Sequence, residues 1–125
     1  MAGRSALINV MHKASMAASK RLMRDFGEVE NLQVTRKGSA DFVSQADISA
    51  ERTIQAELAK ARPDWGFIME EAGQIDAADK HAPCWIIDPI DGTTNFLHGI
   101  PHFAISIAVM DKGKITAGTV FDPAR

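Results

Sequence analysis

Apolar positions in the first third of the chain recur in helical steps. Leu7 or Ile8, Met11, Ser15, Ala18, Leu22 and Phe26 line one face, and Lys13, Lys20 and Arg24 the opposite one. This spacing predicts one long amphipathic helix ended by Gly27. A short extended segment, Leu32 to Thr35, is expected next, then a turn at Arg36-Lys37-Gly38-Ser39 and an extended Phe42-Val43. A second helix is expected from Ser44, because Ser44-x-x-Asp47 resembles a capping box with Asp in place of Glu or Gln. Ile48, Glu51, Ile54 or Gln55, Leu58 and Ala61 supply its period, and Pro63 lies just beyond its end. Three strand candidates follow: a short Gly66 to Met69, a continuous apolar run Cys84 to Ile87 of the kind buried on both faces, and Phe103 to Val109. Asp111-Lys112-Gly113-Lys114 reads as a hairpin turn into Ile115 to Phe121. Two helices followed by several strands predict a layered α+β or αβα arrangement, with helices on one face of a mixed sheet.

At 125 residues and 46% hydrophobic, the chain is one domain or part of a larger one, with enough apolar surface to fold without staples. Its single cysteine, Cys84, excludes an internal disulfide and any multi-cysteine metal cluster. No apolar run approaches the ~20 residues of a membrane span. A net charge of −2 argues against general nucleic-acid binding. Its distribution is uneven. Residues 1–37 carry 7 basic and 3 acidic side chains, and residues 38–125 carry 7 basic and 13 acidic ones. The acid-free start, with Arg4, Lys13, Lys20, Arg21 and Arg24, has the composition of a transit peptide but is read as the basic face of the first helix. With no secretory apolar core, the expected compartment is the cytoplasm.

Carboxylates gather where strand candidates end. Phe67-Ile68-Met69 runs into Glu70-Glu71, and Trp85-Ile86-Ile87 runs into Asp88-Pro89-Ile90-Asp91. Adjacent strands bring such ends together, and like charges that close are costly unless something compensates them. A hard divalent cation does so, and Mg²⁺ favours oxygen ligands. Pro89 is expected to take the chain out of the sheet. Asp88 and Asp91 can then face one ion or a close pair, and the Ile90 carbonyl offers a further oxygen. In Gly92-Thr93-Thr94-Asn95-Phe96, the glycine permits close backbone approach, the threonines supply hydroxyls, and a helical turn over Asn95–His98 would leave N–H groups free for an anion. Carboxylates followed by an anion cradle fit metal-assisted hydrolysis of a phosphate ester. His98 and His102 are four apart, but Gly99 and Pro101 break the helix that a zinc pair would need. Cys84, Trp65, Trp85 and the methionines Met11, Met16 and Met23 read as packing residues.

The run from Trp85 to Phe96, Trp-Ile-Ile-Asp-Pro-Ile-Asp-Gly-Thr-Thr-Asn-Phe, resembles the signature of the inositol monophosphatase family. That family belongs to the Mg²⁺-dependent, lithium-sensitive sugar phosphatases. Asp41 to Asp47, Phe67 to Glu71 and Pro101 to Ala108 resemble further family segments, so the similarity covers essentially the whole chain and is closest to bacterial members. The resemblance implies an αβαβα sandwich, of which 1–125 would form the N-terminal helix pair and first mixed sheet. It implies Glu70, Asp88, Asp91 and the Ile90 carbonyl as metal ligands, for two or three Mg²⁺ ions in the complete protein. Gly92 and Thr93 would bind phosphate through backbone N–H groups, with Asp91 also at the substrate. Thr93 and Asp47 would position and help deprotonate the attacking water beside Glu70, and Glu71 would support the ligands from behind. Arg36-Lys37 stands where the family has a mobile loop over the site, and Met69 replaces its usual glycine.

Family members are about twice this length, and their second half supplies a further metal-ligating Asp in a Trp-Asp-x-Ala motif and most contacts to the substrate alcohol. The expectation is therefore an N-terminal fragment, inactive alone, with an open sheet edge and an exposed apolar face. The implied reaction is hydrolysis of inositol 1-phosphate or a similar small polyol phosphate by a cytoplasmic homodimer. The substrate alternatives are fructose 1,6-bisphosphate, histidinol phosphate or a 3′-phosphonucleotide. Some bacterial relatives instead assist transcription antitermination and ribosomal RNA synthesis by contacting the transcription machinery, without a membrane or direct DNA binding.

Overall fold

The computed structural model describes residues 5–32 and 36–124. Two long helices, α1 (Ala6–Leu32) and α2 (Arg36–Ala61), precede β1 (Gly66–Met69), β2 (Gly73–Ile75), β3 (Cys84–Asp91), the short α3 (Thr93–Leu97), β4 (Ala104–Asp111) and β5 (Lys114–Phe121). The strands form one mixed sheet in the order β2-β1-β3-β4-β5, with β1 and β3 parallel and the other neighbours antiparallel. α1 packs along α2 and reaches β5, while α2 lies on β3. The predicted layering, helices over one face of a mixed sheet, is thus present.

Both helices run longer than their local punctuation suggests. Gly27 sits inside α1, and the buried stripe Met11, Ala14, Ala18, Leu22 continues past it to Val29. Lys13, Lys20, Arg21 and Arg24 are exposed on the outer face of α1, and Arg4 lies outside the described residues. Met16 is also exposed, at 46%, and does not pack. Leu32 is helical rather than extended, and residues 33–35 lie outside those described. The expected turn at 36–39 and extended Phe42-Val43 are both helix, and Ser44 lies inside α2 rather than capping it. The buried stripe explains why: Val43, Ala46, Ala50, Ile54 and Leu58 recur in helical steps, so burial of Val43 carries the helix back through Gly38 at a cost of ~1 kcal/mol. The helix ends at Ala61, two residues before Pro63.

The sheet has two unlike faces. Phe67, Met69, Trp85, Ile87, Ile105, Ile107 and Val109 are buried toward the helices. Cys84, Ile86 and Asp88 alternate with them on β3 and are only half-buried, so this strand is not enclosed on both sides. Pro89 does not end β3 either. Asp88 pairs with Ser106 and Asp91 with Ala104, so β3 holds one residue more than its partner and bulges around the proline. β2, an exposed antiparallel strand on the sheet edge, had no apolar run to announce it. The β4–β5 hairpin turns through Lys112 and Gly113, both at positive φ (53° and 78°), as its sequence predicts.

Candidate metal centre

Three elements meet at one end of the sheet. Asp47 comes from the middle of α2, Glu70 and Glu71 from the turn after β1, and Asp88 from the last regular pair of β3. One carboxylate oxygen from each of Asp47, Glu70 and Glu71 lies within 4.8 Å of the others. Glu70 is also within side-chain hydrogen-bonding reach of Asp88. Asp47 is 5% exposed, whereas Glu70 and Glu71 are open to solvent, so the group is a half-open bowl with Asp47 at its floor.

The electrostatics follow from that placement. Burial pushes the Asp47 carboxyl up to about 7, and the neighbouring charges of Glu70, Glu71, Asp88 and Glu51 add to the shift. Glu70 is raised as well, by partial burial first, then by its hydrogen bond and charge repulsion with Asp88 and by Glu71 and Glu51. Asp47 Oδ1 and Asp88 Oδ1 are buried and meet no hydrogen-bond donor among the described residues. Buried carboxylate oxygens without donors, set among like charges, are costly unless a cation shares them. An all-oxygen donor set of this kind fits a hard divalent cation.

Beyond the bulge the chain turns into α3. Gly92 has φ 98°, and a Cβ placed there would lie 3.1 Å from the His102 carbonyl oxygen and 3.3 Å from Phe103 Cα. Only glycine combines that backbone angle with that close approach. The helical turn begins at Thr93, two residues before the expected Asn95, so the uncommitted N–H groups are those at Thr93 and its neighbours. The Thr93 hydroxyl donates to the Ile90 carbonyl at 3.0 Å, tying the two residues expected to face ion and phosphate. Phe26, Phe96 and Phe103 pack beneath, with ring centroids 4.9–5.4 Å apart, and fix α3 against α1. Asn95 Nδ2 donates to the His102 carbonyl at 2.8 Å. An open cleft of about 320 Å³ lies alongside, lined in part by Asp91, Gly92, Asn95 and Asp122.

The structure thus brings Asp47, Glu70, Glu71 and Asp88 together. Asp91 is exposed past the bulge and lines the adjoining cleft instead of joining the compact group. Asp47 is no helix cap, since it sits mid-helix on the buried stripe. Glu71, expected behind the ligands, is as close to the group as Glu70. The helical period gives Glu51 no more than a place in the repeat. It is 2% exposed and its two carboxylate oxygens accept the Glu71 and Ala72 N–H groups at 3.0 and 2.9 Å. The signal for it was an acid on the apolar stripe of α2, one turn after another acid.

A family model described as the inositol monophosphatase family matches residues 4–125. An inositol-1-monophosphatase of Mesorhizobium japonicum is 60% identical over 121 residues, covering 97% of this chain and 45% of the relative. The protein of Escherichia coli named Nus factor SuhB is 37% identical over 119 residues, covering 95% of this chain and 44% of the relative. A crystal structure of the extragenic suppressor protein suhB from Bartonella henselae is similar with a TM-score of 0.83 and 57% identity, over 96% of this chain and 46% of that one. The chain therefore spans a little under half the length of these relatives.

Proposed function

This chain belongs to the inositol monophosphatase family, and from that premise we propose that it carries the cation-holding and phosphate-cradling side of a phosphate monoester hydrolase. The observation that carries the reading is the bowl of Asp47, Glu70, Glu71 and Asp88, with two donor-less buried oxygens, beside the Gly92–Thr93 turn. The substrate proposed is inositol 1-phosphate, the cofactor is Mg²⁺, and the reaction belongs to the protein of family length. Lithium sensitivity, a cytoplasmic location and a homodimeric assembly are proposed with it.

Glu70, Asp88, Asp91 and the Ile90 carbonyl would hold the ions, with Asp47 and Glu71 completing the negative wall. Bound Mg²⁺ supplies Lewis acidity toward the phosphoryl oxygens and makes a nearby water more acidic. The residues supply the rest. The Gly92 and Thr93 N–H groups bind and orient the phosphate at a short helix start. The Thr93 hydroxyl donates its hydrogen bond to the Ile90 carbonyl, which leaves the oxygen's lone pairs free to accept from the attacking water. Asp47, its carboxyl raised to about 7 by burial and neighbouring charge, accepts in its ionised form the proton that this water releases.

Asp88→Asn in the protein of native length tests the reading. Hydrolysis of inositol 1-phosphate with Mg²⁺ is expected to fall about a hundredfold or more, the factor that ~2.7 kcal/mol of transition-state stabilisation represents. Wild-type-like turnover by the variant would sink it. Several relatives 37–42% identical are named Nus factor SuhB, which supports a second reading, contact with the transcription machinery. An inactive Asp88→Asn protein that still restores the cellular phenotype favours that role.

A further inference from the structure

We infer that Glu51 is a positioning residue, fixing the turn that carries Glu70 and Glu71 at the distance from Asp47 that a divalent cation needs. The inference rests on the cation reading above. Glu70 and Glu71 sit on the three-residue turn joining β1 to β2, closed by the Met69–Gly73 pair with Gly73 at φ 79°. β2 is three residues long and exposed on the sheet edge, so the hairpin alone gives the turn little anchorage. Glu71 and Ala72 are themselves exposed. A buried carboxylate from another element binds the backbone of this turn to the body of the protein. Glu51 Oε1 accepts the Glu71 N–H at 3.0 Å and Oε2 accepts the Ala72 N–H at 2.9 Å, so both oxygens are committed to successive amides.

The helical spacing gives this bond its consequence. Asp47 and Glu51 are one turn apart on the same buried stripe of α2. One helix face therefore supplies the floor of the bowl and the clamp on its rim. The carboxylates of Asp47, Glu70, Glu71 and Asp88 repel one another, which pushes the turn away from α2. Glu51 adds its own charge to that repulsion, but its two charge-assisted bonds to the turn amides oppose the push. Glu51 touches neither phosphate nor water in this scheme and acts only through the residues it holds. Partners that orient ligands in this way are commonly worth 10–100-fold in metal affinity.

The test pairs amide exchange with metal titration in the protein of native length. In the wild type, the Glu71 and Ala72 amides are expected to exchange slowly although both residues are exposed. In Glu51→Gln the side-chain NH₂ meets one of the two N–H groups, donor against donor. Protection of those amides is then expected to fall about tenfold or more. The Mg²⁺ dissociation constant measured by calorimetry is expected to rise about tenfold or more. Excess Mg²⁺ should restore turnover, which a merely structural defect would not allow. Free-peptide exchange at Glu71 and Ala72 in the wild type overturns the inference, and this measurement decides alone if the variant does not fold. A folded variant with wild-type Mg²⁺ affinity also overturns it. Wild-type protein that binds no Mg²⁺ overturns the cation reading itself and takes this inference with it.

Discussion

Asp47 is the residue in which burial and charge conflict most. Its carboxyl titrates at about 7 because burial and four neighbouring acids oppose its charged form. A folded-state value above the ordinary one near 3.8 means that the folded protein holds this proton more tightly than the unfolded chain does. The stabilisation is full below about 4 and is lost as pH rises through 7. Without divalent cation, this group therefore lowers the denaturation temperature at pH 8 relative to pH 5.5. A cation reverses the sign, because it binds only the deprotonated bowl. Mg²⁺ should raise the melting temperature more at pH 8 than at pH 6, and Asp47→Asn should flatten both trends. A Mg²⁺ shift independent of pH would contradict this account. Gly92 gives a second prediction at this scale. Gly92→Ala adds a Cβ at 3.1 Å from backbone oxygen at φ 98°, so a loss of ~1–3 kcal/mol is expected in denaturant titration. The chemistry of the Asp88–Thr94 segment was legible because it is compressed into consecutive residues, although its first four prove to be strand. Glu51 was not, because its two partners lie 20 and 21 residues away.

At the scale of elements, the strands with apolar runs were readable and the helix ends were not. β1 is found at its predicted bounds, and the β4–β5 turn falls where Lys112-Gly113 puts it. Glycine misled twice, at Gly27 and Gly38, because tertiary burial of Val29 and Val43 outweighs the local preference to stop. The acids Asp47 and Glu51 on the buried stripe of α2 further blurred its period. Pro89 misled in the opposite direction, since a bulge absorbs it. Gly27 provides the test. It lies in the helix interior, and a Cβ there meets nothing within 4 Å. Gly27→Ala should stabilise the protein by about 0.5–1 kcal/mol, seen as a higher denaturation midpoint at unchanged slope. A glycine that truly ended the helix in a left-handed turn would give the opposite sign.

For the whole molecule, the decisive feature is the asymmetry of the sheet. Its helix-facing side is closed by α1 and α2, and its other side presents half-buried Ile68, Ile86, Ala108 and Met110. On the β5 edge, Ile115 is 61% exposed and Val120 76% exposed. β5 pairs with β4 on one side only, leaving a row of backbone donors and acceptors beside those apolar side chains. An apolar face next to an unpaired edge is a template for self-association. The 125-residue chain studied alone should therefore bind a hydrophobic dye and sediment as oligomers at micromolar concentration. Ile115→Lys with Val120→Lys should shift it toward monomer, because charge on an edge strand disfavours further pairing. Both side chains are more than half exposed, so each substitution should change stability by no more than about 0.5 kcal/mol and the pair by no more than about 1 kcal/mol. Sedimentation velocity and chemical denaturation on the same samples separate the two effects. If the double variant unfolds more easily while remaining oligomeric, the exposed edge is not what drives association.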